Sequence, residues 1–238
     1  MSPTDELGAP SSHLARPGTA RHSGRPDGTT RYRLGGLLLL LAGLYFVGEA
    51  WAAAGWEGRP YRWTVDAISE LGVPETRYAG GEPFAATHHV VMNATFVATG
   101  LRTLLAGVVL APFVPRRARR TVLGLTVAYG VGVVIVGLFP TGVPSTRADI
   151  HGVGAVLTIA GGSVLLLALA VSLSGRHRRL ALLTLVLGLL STGGTVCGVL
   201  EIGGFGLVER VAVYTVLLWQ VLAGIAVLVS GPRTHPPV

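Results

Sequence analysis

Lysine is absent from the 238-residue chain, so all 19 basic residues are arginine, and cysteine occurs once, as Cys197. One thiol cannot form a disulfide framework or a cysteine metal knuckle within one chain, and its place in an apolar run suits a small packing residue. Charge is scarce as well: only 13% of residues are Asp, Glu, Lys or Arg, while 50% are hydrophobic. That balance, with a mean hydropathy of +0.58, excludes a water-soluble globule with an ordinary charged surface. The surplus apolar side chains need lipid as their solvent.

The net charge of +7 raises the possibility of nucleic acid. The arginines, however, stand in short clusters between apolar runs, without the aromatic interleaving of a nucleic-acid surface. Topology explains them instead, and no nucleic-acid partner is expected. Residues 1–33 are rich in Pro, Gly, Ser, Thr and Arg and read as a disordered basic tail. After it come six apolar runs, each near the length of about 20 residues that a hydrocarbon core of about 30 Å requires. Their limits fall near 34–56, 89–114, 122–139, 152–173, 180–200 and 211–230, and residues 231–238 form a short second tail. The fold expected is all-α, an integral membrane bundle of six transmembrane helices.

Trp51, Trp56, Tyr61 and Trp63 gather at the far end of the first run, as interfacial aromatics do. A competing reading makes that run a signal peptide cleaved after Ala52, Ala53 and Ala54, but its long leader and the interrupting Glu49 fit a retained helix better. The tails and the loops at Arg116–Arg120 and Arg176–Arg179 hold 13 arginines, the opposite loops hold five, and Arg102 lies inside a run. Positive charge stays on the cytoplasmic side, so both termini are expected inside, in a bacterial cytoplasmic membrane with anionic headgroups as partners of the arginines. The opposite loops carry Glu57, Asp66, Glu70, Glu75, Glu82, Asp149, Glu201 and Glu209. Polar chemistry therefore concentrates on the outer face, where the stretch from Glu57 to His88 is the one long loop, ordered by packing across helix ends.

Glu49 and Arg102 are ionisable groups within apolar runs, where each needs a partner. At about 1.5 Å per residue, Glu49 stands roughly 24 Å above Arg33 and Arg102 roughly 21 Å above Arg116, so an ion pair between them is expected. Thr95, Thr99, Arg102 and Ala106 share one face of the second run, and Thr184, Gly188, Ser191, Thr195 and Gly198 one face of the fifth. Both stripes should face protein. The spacing of His151, Ala155, Thr158 and Gly162 aims His151 into the outer mouth of the bundle. His88, His89 and His151 are candidate zinc ligands, with Asp149, Glu201 or Glu209 as a further ligand or base. Ser69 is a candidate nucleophile with His151 as its base; its ordinary alternative is a helix cap or loop anchor. Glu209 and Arg210, just before the sixth run, complement a helix N-terminus and an outer acid respectively.

Three stretches carry a family resemblance: Asp66-Ala67-Ile68-Ser69-Glu70-Leu71-Gly72; Phe139-Pro140 followed by Asp149-Ile150-His151-Gly152-Val153-Gly154-Ala155; and Gly206 with Glu209-Arg210. Together they resemble the domain of unknown function 998 family of bacterial and archaeal membrane proteins, over about Gly36 to Leu228. The resemblance implies a six-helix membrane protein and singles out Ser69, Gly72, Pro140, His151, Glu209 and Arg210. Thr141 stands where many relatives have an acidic residue, and Asp149 is the nearest substitute. Two functions remain open on these residues. One is a protein that binds or moves a lipid or small solute through a polar outer pocket, using Glu49, Arg102, Asp66, Ser69, Glu70, His151, Glu209 and Arg210. The other is a membrane-embedded hydrolase or transferase whose catalytic candidates are His151, Ser69, Asp149 and Glu209.

Overall fold

The computed structural model describes residues 28–142, 145–175 and 177–230; the first part of the expected basic tail and the second tail lie outside them. Six helices are long and apolar enough to cross a membrane. They are α1 (Gly28–Ala54, with one 3-10 turn at Leu41–Gly43), α2 (His89–Phe113, ending in a 3-10 turn), α3 (Arg116–Leu138), α4 (Ser145–Leu173), α5 (Arg178–Val199) and α6 (Phe205–Ser230).

Helix α1 is already formed at Gly28, the first described residue, six residues ahead of the expected start at Leu34. Arg31 gives the reason: its guanidinium donates to the Val108 and Val109 carbonyls (3.2 and 3.1 Å), capping groups left open near the end of α2. Helix α6 likewise starts at Phe205 rather than 211, because Glu209 and Arg210 find partners without leaving the helix.

The helices form a ring in chain order, each packing on the next, and α6 closes it against α1; α4 also reaches across to α6. Two contacts depend on the missing side chain of glycine. A methyl on Gly132 of α3 would stand 2.8 Å from the Gly154 carbonyl of α4, and one on Gly224 of α6 would stand 2.5 Å from the Leu40 amide of α1. Backbone meets backbone there, as small residues permit in membrane bundles. On the expected stripes, Thr99, Ala106, Thr184, Gly188 and Ser191 are buried. Leu182, Val186, Leu189 and Val196 on the other side of α5 are exposed, as a lipid-facing surface requires.

One end of the ring carries the arginine-rich turns. The other is covered by residues 55–88, which are more regular than a loop. β1 (Trp56–Gly58) and β2 (Arg77–Ala79) flank β3 (Glu82–Ala86) in an antiparallel sheet of order β1-β3-β2. Trp56 pairs with Ala86 and Arg77 with Phe84. Gly80 and Gly81, with φ of +63° and +88°, form the two-residue hairpin between β2 and β3, a turn whose central positions both need positive φ. A 3-10 turn at Ser69–Gly72 tucks inward, burying Ile68 and Leu71 with Tyr45, Met92 and Phe96.

Candidate functional site

The buried charges collect at the sheet end. Tyr45 and Glu49 are one helical turn apart on α1, and Arg210 and Tyr214 one turn apart on α6, so each pair shares a face. Arg210 Nη2 lies 3.1 Å from Glu49 Oε1, with both side chains at most 7% exposed. The Tyr214 hydroxyl reaches the same carboxylate at 2.8 Å. Arg210 Nη1 donates to the carbonyls of Trp63 (2.6 Å), Asp66 (2.9 Å) and Gly206 (3.0 Å), and Nη2 to the Tyr61 hydroxyl. A single guanidinium thus joins α1, α6 and the covering segment through its two terminal nitrogens, while its Nε is buried without a hydrogen-bond partner among the described residues.

The covering segment has its own clasp. Asp66 accepts from both Arg59 terminal nitrogens (2.7 Å each) and from the backbone amide and side chain of Arg62 (2.7 and 3.3 Å). Burial alone would raise this carboxyl; the hydrogen bonds from Arg59 and Arg62 overcome it and hold the pKa at about 2. Hydrogen bonding to Asp66 raises Arg59 in turn, while its guanidinium lies over Phe84 and Trp56 at 4.5 and 5.4 Å from the ring centres. Glu70 accepts from the Ala67 amide and from Arg77, both at 3.0 Å, which places it in the loop clasp.

Beneath the clasp lies a cavity of about 30 Å³, counted as space open to the centres of water molecules. Ser69, His151 and Glu209, drawn from the covering segment, α4 and α6, stand on its wall with Tyr45, Thr99 and Tyr129. Glu209 Oε2 takes the Ile68 amide at 2.6 Å, which fixes the lid to α6. His151 is buried, and its Nδ1 is 2.8 Å from the Phe139 carbonyl. A carbonyl only accepts, so Nδ1 carries the proton and Nε2 of the neutral ring is an acceptor. The Tyr45 hydroxyl is fully buried and has no hydrogen-bond partner among the described residues.

The expected pairing of Glu49 with Arg102 is not formed. Arg102 donates instead to the Leu38 carbonyl and the Gln220 side chain, both at 2.7 Å. Measuring depth from Arg33 and Arg116 put the two antiparallel helices in the wrong register. Gly35 packs against Leu110 and Gly48 against Thr95, so Glu49 is about level with Ala94, roughly eight residues and about 12 Å along the axis from Arg102. The three candidate histidines also part company. His88 Nδ1 contacts the Trp51 carbonyl and His89 Nδ1 the Ala86 carbonyl, each at 3.0 Å, while His151 faces the cavity. Among the described residues no three His, Cys, Asp or Glu side chains group as metal ligands. Asp149 is exposed and off the cavity wall. Sequence reasoning missed Tyr45 and Tyr214, although each lies four residues from a buried charge.

Six apolar helices enclosing buried polar side chains define an integral membrane protein of the polytopic helical class. The chain belongs to the DUF998 family: the family model described as "Protein of unknown function (DUF998)" matches residues 31–226. No curated protein and no solved structure matches the chain.

Proposed function

We propose that this protein binds a small molecule, or the polar end of a lipid, in the sheet-end cavity, and that this end faces outward from a bacterial cytoplasmic membrane. The arginine tally supports the orientation, with the arginine-rich end against anionic headgroups of the inner leaflet. The observation that carries the binding reading is the buried, unpartnered Tyr45 hydroxyl on a wall shared with His151, Ser69 and Glu209. A buried hydroxyl without a partner costs on the order of 1–3 kcal/mol, a cost that a bound hydrogen-bonding group would reduce. Native mass spectrometry of detergent-released protein tests this. Wild type should carry a bound molecule that is lost in Ala155→Phe and in Thr99→Leu, which fill the cavity from α4 and α2. Retention of the same adduct by both folded variants, or a wild type without adduct, would overturn the proposal.

One observation favours a second reading, a membrane-embedded hydrolase or transferase. Ser69 and His151 line the same cavity, and the Phe139 carbonyl leaves His151 Nε2 as the basic nitrogen. In that reading Nε2 takes the Ser69 proton as the hydroxyl attacks an acyl carbonyl. Labelling with a fluorophosphonate should then modify Ser69, fail in Ser69→Ala and slow in His151→Gln. An unlabelled wild type in intact membranes would count against it.

A further inference from the structure

We infer that the sheet-end cavity takes a small primary ammonium group of the size of an aminomethyl end. The inference rests on the binding reading above and names its ligand class. The charge on the wall points this way. Among the described side chains that line it, Glu209 is the one carboxylate, and no arginine stands with it. The terminal nitrogens of Arg210, the residue after Glu209, are already engaged by Glu49, Tyr61 and three backbone carbonyls. An anion would therefore meet the Glu209 carboxylate, with no arginine among the described side chains of the wall to offset it.

Hydrogen-bonding polarity agrees. His151 Nε2 is an acceptor because Nδ1 donates to Phe139, and Glu209 commits Oε2 to Ile68, leaving Oε1 available. The Tyr45 hydroxyl is without a partner and can accept as well as donate. These groups want a ligand that brings several N–H donors. The rings of Tyr45, Phe96 and Tyr129 complete the wall, and aromatic faces attract a cation in a desolvated site.

Size narrows the class. About 10–15 Å³ in this measure holds one water, so about 30 Å³ admits a group of two or so heavy atoms. A CH2–NH3+ end fits that space and a trimethylammonium or a phosphate does not. The group can arrive free in solution, as in methylammonium or ethanolamine, or as the end of an ethanolamine headgroup.

The test is calorimetric titration of the full chain in detergent with methylammonium, tetramethylammonium, ethylene glycol, acetate and phosphate, each as its simple salt or neutral solute. Methylammonium should bind, and Glu209→Gln, whose amide oxygen can still accept from Ile68, should weaken it about tenfold or more, the factor that 1.4 kcal/mol represents. Tyr45→Phe should weaken it less. Nanodiscs with ethanolamine lipid, compared with glycerol-headgroup lipid, separate the sources: competition with methylammonium in the first alone assigns the lipid, and its absence assigns the free amine. Tighter binding of acetate, phosphate or ethylene glycol would overturn the ammonium class while leaving the cavity a binding site. An unchanged methylammonium affinity in Glu209→Gln would overturn it too. If no probe binds and the mass spectra show no adduct, both readings fall.

Discussion

The two halves of the bundle differ in the mix of local and long-range bonds that satisfy their buried polar groups. Toward the arginine end, Thr103, Thr126 and Thr184 return their hydroxyls to carbonyls four residues back on their own helices, and long-range bonds are made by Arg31, Arg102 and Trp219. Toward the sheet end the bonds span the chain: Glu49 to Arg210, Ile68 to Glu209, Arg210 to Trp63 and Asp66. Local bonds survive any arrangement of neighbouring helices, whereas long-range bonds exist only when the ring is assembled and covered. The sheet end is thus the half in which buried ion pairs and the covering segment add most to a particular geometry, and the candidate cavity lies in that half. The arginine end holds a cavity of about 100 Å³ that is bounded chiefly by side chains such as Leu39, Ala106, Leu110, Leu166 and Trp219.

The strongest way to break this contrast is to remove one member of the Glu49–Arg210 pair. Glu49→Ala or Arg210→Ala should cost about 3–5 kcal/mol by stranding a buried charge. Arg210→Ala should be the worse of the two, since three carbonyls lose their donor as well. Removing both charges together should be milder than the sum, as unfolding in mild detergent followed by tryptophan fluorescence would show. At the other end, Gly224→Val should cost about 3 kcal/mol, because the neighbouring atoms are backbone of Leu40 and Gly36 and cannot give way. That effect is steric, so it should be independent of pH.

Asp66 sharpens the comparison by titration. Its folded pKa of about 2 lies below the unfolded carboxyl value of about 3.9, so its contribution is present above that unfolded value and is lost as the pH falls through about 2. The contribution is about 2 kcal/mol, and amide exchange in the covering segment should rise over that window in wild type but not in Asp66→Asn. The arginine end should show no such transition. Smallest of all, Thr184→Val should cost about 1 kcal/mol by removing the acceptor of the Trp219 indole, 2.8 Å away.

The spans were legible in the sequence because apolar length reports directly on the solvent, and so was the gathering of polar chemistry at one end. Helical spacing placed His151 correctly on an inward face, and the cavity wall brings it together with Ser69 and Glu209. Register between helices was not legible. Depth counted from flanking arginines misplaced Arg102 against Glu49, because Arg31 is drawn along α2 to Val108 and Val109 instead of stopping at the end of the apolar run. The covering sheet was missed as well: its strands are three to five residues long, too short for alternation to stand out, although the Gly80-Gly81 pair marks the hairpin. The tyrosines escaped notice because a tyrosine in an apolar run reads as bulk. Its hydroxyl matters only once a neighbouring helix shows what it faces.

A ring that closes between α1 and α6 also imposes an order in time. Glu49 enters the membrane with the earliest of these helices, yet Arg210 and Tyr214 arrive with the latest. During synthesis the carboxylate must therefore wait, through the insertion of four intervening helices, before its partners exist. Until then the growing chain carries an acid without its partners, so the cost of holding it in the membrane is lifted only when the last helix closes the ring.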